Sequence, residues 1–326
     1  MKPNDQENPP TLIQVKAPLP FPLRWVNSYI IRGQAGLTIL DPGLHTVETE
    51  RVWEETFDQY GFQFSDVEQI VLTHHHPDHY GMAGWFQGRS GGVPVWISEV
   101  GYKQAQRLWG DDLPMSEEIA ALFIRHGMDQ TMVEQQLVPH MKSFVEWVSP
   151  HPLVSFIALD QPFRMGNQLY KPIVTSGHAD GHICFYEESS KEMFCGDHVL
   201  PQISPNVSYI PGADENPLLS FMTSLNEINQ YEVVRAYPGH REPFASFNRR
   251  VVELLAHHED RLEKMVACLQ EPKHAFQLCL EFFGERLPIH QLRFAMGETL
   301  AHVIYLQKAD RIVEVEREGV CYYRIK

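Results

Sequence analysis

A run of histidines directly after a short apolar segment is the feature that most restricts the fold of this chain. The run is Thr73-His74-His75-His76-Pro77-Asp78-His79, and the apolar segment covers residues 67–72. The β-branched segment predicts a buried strand whose end holds the histidines rigidly. In an extended chain His74 and His76 project to the same side. Pro77 then turns the chain, so that Asp78 and His79 face a second point nearby. One segment can therefore supply ligands to two metal ions.

Three later segments each end in a residue type that binds metal ions. They are Ile173 to His178, Met193 to Asp197 and Val233 to His240. Each has a glycine directly before its last residue, and a residue without a Cβ lets the backbone turn tightly beside a bound group. The chain contains 17 histidines, so a chance histidine-rich loop is the plain alternative. The ordered recurrence of strand, glycine and ligand favours a metal site instead.

This order of motifs resembles that of the metallo-β-lactamase-fold hydrolase superfamily. The family motif His-x-His-x-Asp-His is matched by residues 74–79, and the resemblance extends over about residues 12–245. It implies an αββα sandwich, with two sheets face to face and helices outside, and a site for two divalent metal ions. The implied ligands are His74, His76 and His178 for the first ion, Asp78, His79 and His240 for the second, and Asp197 as the bridge between them.

Four further residues near these motifs are expected to support the site rather than to bind metal. Asp41, in Ile39-Leu40-Asp41-Pro42-Gly43, matches an early motif of the family and is expected to accept a hydrogen bond from a ligand. His75 points away from its neighbours if the strand continues, which favours a solvent-facing or supporting role. His182 resembles a structural histidine of the family, and His198 is expected to face away from Asp197.

The first 244 residues are predicted to form the catalytic domain of an α/β (α+β) protein. Apolar runs around a glycine-containing turn predict a β-hairpin that leads into Asp41. Residues 47–60 are predicted to be helical, and residues 94–97 to form a strand. Residues 99–150 are rich in helix formers and methionine. They predict a helical insertion that packs against the sandwich, with a mobile substrate lid as the alternative.

Residues 245–326 are predicted to form a small C-terminal domain. Apolar residues recur at helical spacing over residues 247–270, two more helices follow, and a hairpin surrounds Glu318 and Gly319. This winged-helix outline resembles the C-terminal domain of many lactamase-like hydrolases, including a subgroup with endoribonuclease members. Its charges sum to zero, so a packing or homodimer-contact role is preferred to nucleic-acid binding.

The charge distribution bears on the binding partners of the chain, and the cysteines bear on its location. The chain has 27 Lys and Arg against 42 Asp and Glu, a formal net charge of −15, and the whole excess lies in residues 1–240. A nucleic-acid partner is therefore not expected. No apolar run approaches the about 20 residues of a membrane span, and the polar start is unlike an export signal. With five cysteines and no Cys-x-x-Cys pair, these features predict a cytoplasmic protein without a membrane partner.

The predicted site suits metal-dependent hydrolysis. Two ions held by imidazole and carboxylate would share a bridging water whose pKa falls to about 7, and the resulting hydroxide would be the nucleophile, oriented by Asp78. Zinc is the preferred metal, with iron or manganese as alternatives. The preferred substrate is a small carbonyl compound, either a thioester or a lactone, as in the hydroxyacylglutathione hydrolases and acyl-homoserine lactonases of the superfamily. No basic cluster for an acidic substrate is evident.

Other activities stay open at this point. A metal-dependent phosphodiesterase or endoribonuclease is the first alternative, supported by the C-terminal resemblance and opposed by the acidic charge. A mono-iron sulfur dioxygenase is the second. The di-iron oxygen reductases of the superfamily typically carry glutamate where this chain has His76. A β-lactamase proper is not expected, because those enzymes are exported. A sensor with an inert metal site is disfavoured by the seven intact ligand positions.

Overall fold

Two β-sheets packed face to face form the centre of the fold, and helices cover the outer face of each. The structure is a computed structural model and describes residues 10–110 and 114–326. The first sheet consists, in order, of β1 (Leu12–Pro18), β2 (Trp25–Arg32), β3 (Leu37–Leu40), β4 (Val67–Val71), β5 (Val95–Ile97) and β6 (Val154–Phe156). The second consists of β7 (Phe163–Met165), β8 (Gln168–Val174), β9 (Ile183–Glu187), β10 (Glu192–Gly196) and β11 (Arg235–Pro238). A small third sheet has the order β12 (Lys273–His274), β14 (Val320–Ile325), β13 (Ile312–Arg317).

The helices of the described residues fall into three groups along the chain. Before the insertion lie α1 (Val47–Tyr60), α2 (Pro77–Tyr80) and α3 (Ala83–Arg89). The insertion contains α4 (Glu99–Trp109), α5 (Pro114–Arg125), α6 (Gln130–Met132) and α7 (Val138–Lys142), with a π-helical turn at Val133–Leu137 and a 3₁₀ turn at Ser143–Val148. The remaining helices are α8 (Pro217–Ile228), α9 (Phe247–Cys268), α10 (Ala275–Phe283) and α11 (Ile289–Lys308). Within the described part of the chain, no helix has the length and apolar character needed to span a membrane.

Side chains that point alternately to the two faces of each strand explain the four layers of helix, sheet, sheet and helix. On β2, Tyr29 and Ile31 face the second sheet, where they share a core with Phe185 and Phe194. Ile30 projects to the opposite face and joins a separate core under α1. Side chains two apart on a strand lie on the same face, so one strand serves both layers. The predicted αββα sandwich is confirmed.

The elements predicted before the insertion agree with the structure. The helix predicted over residues 47–60 is α1, which begins after Thr46, whose hydroxyl accepts a hydrogen bond from the Thr49 amide at 3.2 Å. It ends at Gly61, which adopts φ 69°. The predicted hairpin is β2 paired antiparallel with β3. The segment before the histidines is β4.

The C-terminal helices share one core with the second sheet. This core joins Cys195 of β10, Leu218 of α8, Leu254 of α9 and Leu300 of α11, and it also includes Phe123 of the insertion. The predicted element order of three helices and a hairpin is present, and the short strand β12, which was not predicted, adds to the hairpin. The domain division after residue 244 and the winged-helix classification stay predictions.

The strands that precede the predicted ligands all end at one edge of the sandwich. β3 and β4 are parallel in the first sheet. In the second sheet β10 and β11 are parallel, and β8 runs in the same direction because both β8 and β10 are antiparallel to β9. The two sheets are joined at this edge by hydrogen bonds from the Asn27 amide to the Gly239 carbonyl (2.6 Å) and from the Ile183 amide to the Thr73 carbonyl (2.9 Å). The loops after these strands therefore meet.

Candidate metal centre

Seven histidine and aspartate side chains from four loops converge at this edge. They form three groups whose donor atoms lie within 4.8 Å of one another: His74, His76 and His178; His74, His79 and Asp197; and Asp78, His79 and His240. These are the seven residues predicted as ligands. Asp197 is central, since its Oδ2 lies 3.7 Å from His178 Nε2 and 3.2 Å from His240 Nε2. Its Oδ1 lies 3.5 Å from His79 Nε2.

The one-turn helix α2 separates the two halves of the histidine motif. Pro77 is its first residue, where the lack of an N–H has no cost because that amide has no partner within the helix. His74 and His76 lie before the turn on the same side of the chain, and His74 Nε2 is 3.1 Å from His76 Nδ1. Asp78 and His79 lie within the turn and face His240.

Oxygen acceptors fix the orientation of four imidazoles through their Nδ1 atoms. His178 Nδ1 donates to the Asn206 carbonyl (2.7 Å) and His240 Nδ1 to the Trp25 carbonyl (3.0 Å). His79 Nδ1 bonds to Asp41 Oδ2 (2.9 Å), and His74 Nδ1 to the Thr73 hydroxyl (2.9 Å). The Nε2 atom of each ring is thereby left facing the cluster, which is the arrangement that metal-binding histidines adopt.

Asp41 has the supporting position that the sequence predicted. Besides His79, its carboxylate accepts hydrogen bonds from the Thr73 amide (2.8 Å) and hydroxyl (2.6 Å). Its backbone adopts φ 50°, a conformation that non-glycine residues rarely adopt and that persists only where the surroundings enforce it. The carboxylate thus connects the end of β3 to both halves of the histidine motif.

Gly239 shows why glycine precedes a predicted ligand. A Cβ atom at this position would collide with Asp197 Oδ1 and with Cε1 of His79. The backbone therefore passes against two members of the cluster at a distance that only glycine permits. At Gly196, before Asp197, the backbone adopts φ 46° and a Cβ would press on the His182 ring. The predicted close approach of backbone to site is present at both positions.

Burial and neighbouring charges divide the histidines into two sets. Burial, together with the nearby histidines, holds the pKa of His74 well below its usual value, and burial likewise lowers that of His178. These imidazoles are neutral and have a lone pair available. Burial also disfavours the charged form of His240, but the carboxylates of Asp197 and Asp78 outweigh it and raise its pKa to about 10. The same balance raises the pKa of His79.

The donor atoms of the cluster fit a bound cation. His79 Nε2, His178 Nε2 and Asp197 Oδ1 are buried and make no hydrogen bond. Buried polar atoms without a partner are rare in proteins, and each needs a physical explanation. A cation among these atoms would satisfy all three. The set of imidazole nitrogens and carboxylate oxygens suits zinc, and also iron or manganese.

The three excluded histidines lie outside the metal-binding groups of the described residues. His182 Nδ1 bonds to the Thr175 hydroxyl (2.7 Å) and its Nε2 accepts the Asp197 amide (3.2 Å), in keeping with a structural role. His198 Nε2 faces Ser224 (3.4 Å). The possibility that His75 faces solvent is wrong, because it is only 3% exposed. The insertion covers it, and the Trp109 indole donates to its carbonyl (3.2 Å).

A largely apolar cavity of about 480 Å³ opens onto the cluster. Its floor is formed by His76, Asp78, His178, Asp197 and His240. Its walls come from the loop after β1 (Phe21), from the insertion (Trp109, Phe123, Phe144) and from α10 and α11 (Phe283, Phe294). The insertion and the C-terminal helices pack against the sandwich, as predicted. Both also line the cavity above the cluster.

Several functional groups of the site were not predicted. The carbonyl groups of Trp25 and Asn206 leave no sequence signal, because every residue has one. Thr73 could have been found, since a hydroxyl directly before His74 lies beside the motif. The wall residues on α10 and α11 were missed because their apolar spacing also fits an ordinary packed helix.

The fold and the cluster define a class of metal-binding α/β hydrolases, and comparison with known proteins identifies the family. The model of the metallo-beta-lactamase superfamily matches residues 23–240, and that of the metallo-beta-lactamase-like C-terminal domain matches residues 262–326. The chain belongs to the metallo-beta-lactamase superfamily and is a metallo-hydrolase of that superfamily.

Individual relatives match over different lengths. The crystal structure of the metallo-beta-lactamase family protein TTHA1429 from Thermus thermophilus superposes with a TM-score of 0.87 at 33% identity, covering 97% of this chain and 99% of that one. The "Probable metallo-hydrolase YqjP" of Bacillus subtilis (strain 168) is 27% identical over 325 residues, 96% of this chain and 97% of that protein. The "Atrochrysone carboxyl ACP thioesterase" of Aspergillus chevalieri is 27% identical over 239 residues, 70% of this chain and 73% of that protein.

Proposed function

We propose that this protein hydrolyses the thioester of a small organic acid, with two divalent metal ions, preferably zinc, bound by the cluster. The observation that carries the proposal is the apolar cavity of about 480 Å³ whose floor is the cluster. Its volume falls within the range of small-molecule sites. A relative named as a thioesterase gives independent support.

We assign the donor groups to the two proposed ions as the family resemblance implies. His74, His76 and His178 would hold one, Asp78, His79 and His240 the other, and Asp197 would bridge them. When bound, the ions would polarise the carbonyl oxygen and supply a water of lowered pKa. The Nδ1 hydrogen bonds of His74, His79, His178 and His240 would orient these ligands, and mutation of such partners typically weakens metal affinity about 10- to 100-fold.

Asp78 is the carboxylate assigned to proton transfer. Its side chain is 22% exposed, against 8% for Asp197, and it lines the cavity. Its Oδ2 lies 3.2 Å from His240 Nε2, which holds the carboxylate at the edge of the cluster. We assign to Asp78 the orientation of the attacking water and the acceptance of its proton.

The chemistry of the cavity favours a thioester over a phosphodiester. A thiol has a pKa of about 8.5, so a thiolate leaves with little need for a strong general acid. The walls are mostly aromatic and aliphatic. The negative net charge also opposes a polyanionic substrate.

The test is reconstitution of chelator-treated protein with zinc, manganese or iron, followed by elemental analysis and an assay panel. The panel contains an acyl thioester of N-acetylcysteamine, a lactone of matched length and bis(p-nitrophenyl) phosphate. Two metal ions per chain with thioester turnover are expected. Turnover of the phosphodiester alone would replace the proposal with a phosphodiesterase, and one iron per chain without hydrolysis would point to the dioxygenase class.

A further inference from the structure

Arg293 of α11 presents to the cavity a guanidinium group that has no carboxylate partner among the described residues. It lines the cavity wall and is partly buried. Its guanidinium lies over two aromatic rings, 4.9 Å from the centroid of Phe144 and 4.6 Å from that of Phe294. In the part of the chain that the structure describes, none of the ion pairs within 4.0 Å includes this arginine.

A neighbouring arginine, Arg261, has the carboxylate partner that Arg293 lacks among the described residues. Arg261 of α9 forms an ion pair with Glu298, whose carboxylate also accepts from the Asn206 side chain (3.0 Å). Glu298 lines the same cavity, but its charge is therefore already compensated. Arg293, in contrast, lies over two ring faces and forms no ion pair with a described residue. Burial lowers its pKa to about 10, a shift that marks the loss of hydration.

An unpaired cation in an apolar wall is costly to the folded protein. Removal of a guanidinium from water is unfavourable unless an anion or hydrogen-bond acceptors replace the water, and contact with aromatic faces returns only part of the cost. Groups kept at such a cost are common at binding sites, where the ligand supplies the compensation. The geometry of Arg293 suits this explanation, since its planar fork can bind both oxygens of a carboxylate.

Among the described residues that line the cavity, Arg293 is the one arginine or lysine. His290 stands one turn before it on α11 and lines the same cavity. Burial and the proximity of Arg293 lower the pKa of His290 to about 4, so its imidazole is neutral at pH 7. The carboxyl side chains that line the cavity are those of Asp78 and Asp197 in the cluster and of Glu298, which pairs with Arg261, among the described residues. Away from the cluster, the group that can pair with a substrate anion in this wall is therefore the Arg293 guanidinium, among the described residues.

We propose that Arg293 binds a carboxylate of the substrate, so that the enzyme selects a thioester whose carboxylate is separated from the scissile carbonyl by an apolar stretch. The inference rests on the proposed thioesterase function and names its substrate class. The carboxylate can belong to the acyl part or to the thiol part, and the same guanidinium would recognise either.

Paired substrates with and without the carboxylate test the proposal. For the acyl part, the pair is glutaryl and pentanoyl N-acetylcysteamine. For the thiol part, the pair is pentanoyl 3-mercaptopropionate and its methyl ester. The zinc-reconstituted protein is expected to prefer the carboxylate in one pair, and Arg293→Met to reduce kcat/KM for that substrate about 10- to 100-fold, the range for a charged hydrogen bond. The neutral member should change by less than about threefold, since it makes no such bond.

Two further variants separate binding from structure. Arg317 of β13 also lies over an aromatic ring, 5.3 Å from the centroid of Tyr322, but it is exposed and not part of the cavity wall. Arg317→Met should leave every substrate unchanged. Arg293→Lys keeps the charge without the planar fork and should retain part of the preference. If the charge is kept for a ligand, Arg293→Met should unfold at the same or a higher temperature than the wild type.

The outcomes distinguish this proposal from the one on which it rests. A wild-type protein that hydrolyses both members of each pair equally, or a folded Arg293→Met variant that keeps the preference, overturns the role of Arg293 and leaves the thioesterase intact. Absence of hydrolysis of all four thioesters overturns the thioesterase proposal. Calorimetric titration with glutarate then decides the role of Arg293, since binding that is lost in Arg293→Met supports it and binding that is unchanged overturns it.

Discussion

Asp197 is the residue on which the cluster depends most. Its carboxylate approaches histidines from three separate loops, His79, His178 and His240. Its own position is fixed by the hydrogen bond from the Asp197 backbone amide to His182 Nε2 and by the backbone of Gly239, which passes directly against its carboxylate. Loss of its charge would therefore disturb both proposed metal positions at once.

Replacement of Asp197 by asparagine tests this dependence. The substitution keeps the volume but removes the negative charge, so hydrolysis should fall by more than about 100-fold, beyond the loss seen when an outer partner of a ligand is removed. Activity and metal content are measured together on protein with a normal unfolding temperature. Asp310→Asn, at the exposed ion pair with Lys326, is the matched control. A folded Asp197→Asn variant with full activity and normal metal content would rule out the dinuclear proposal.

The raised pKa of His240 predicts how the metal-free protein responds to pH. Burial opposes its charge, but Asp197 and Asp78 raise its pKa to about 10, above the value of about 6.5 expected in the unfolded chain. Stability from this charge is fully present below pH 6.5 and is lost as the pH rises through 10. The unfolding temperature of the metal-free protein should therefore fall between pH 7 and pH 10, measured by calorimetry. The metal-loaded protein, and His240→Gln without metal, should show a smaller fall.

At the residue scale the sequence predicted the residues of the cluster but not the wall. His74 to His79 form one contiguous motif and the distant members each follow a glycine, but their assignment as ligands came from the resemblance to the metallo-β-lactamase fold and stays a prediction. Arg293 gave no comparable signal, because an arginine beside the apolar stripe of a helix normally extends to solvent. Only the packing of Phe144 from the insertion shows that it does not.

The helix α11 connects the C-terminal part of the chain to a proposed metal ligand. Glu298 accepts a hydrogen bond from the Asn206 side chain (3.0 Å), and the Asn206 carbonyl accepts one from His178 Nδ1 (2.7 Å). Asn206 lies between β10 and α8, in a segment without regular structure. The helix therefore holds the loop that orients the ring.

Removal of the Glu298 carboxylate should weaken metal binding without a change in any proposed ligand. For Glu298→Ala we expect the affinity for zinc to fall about 10-fold, because Asn206 loses one of the two hydrogen bonds that its side chain makes to α11 and holds its carbonyl less firmly against His178. Competition with a chromogenic chelator measures the affinity. Glu314→Ala is the control, since Glu314 pairs with Arg125 and lies outside the cavity wall. Equal zinc affinity in Glu298→Ala and wild type would show that α11 does not support the ligand.

Elements with strong local signals were predictable, and those defined by long-range pairing were not. α1 has a periodic apolar face and a cap at each end, so both its limits were found. β12 has two residues and exists only because it pairs with β14, which lies about fifty positions later in the chain. His75 is likewise buried where the Trp109 indole donates to its carbonyl, and the sequence does not reveal that the insertion packs there.

The second sheet and the C-terminal helices unfold as one unit if their shared core governs stability. Leu254, Met265 and Leu300 lie in the same core as Cys195 and Phe221, which belong to the predicted catalytic part. Separation of the two parts would expose this apolar surface, at a cost of roughly 25 cal/mol per Å².

Calorimetry on the full chain tests this cooperativity. We expect a single transition whose calorimetric and van't Hoff enthalpies agree, and we expect residues 1–244 alone to aggregate or to lack a cooperative transition. Two separate transitions, with one assigned to residues 245–326, would establish independent domains. The sequence suggested a boundary because the pattern changes from mixed to helical near residue 245, but a change of pattern does not show whether two parts bury each other.

Three of the stretches that form the cavity wall supply none of the proposed ligands. Phe21 follows β1, Phe144 lies in the 3₁₀ turn near the end of the insertion, and Phe294 lies on α11. These three stretches can therefore change without a change in any proposed ligand. A chimera that exchanges the insertion or α11 with that of a relative should keep its catalytic chemistry and acquire a new range of substrates, so the enzyme can be retuned without touching a single ligand.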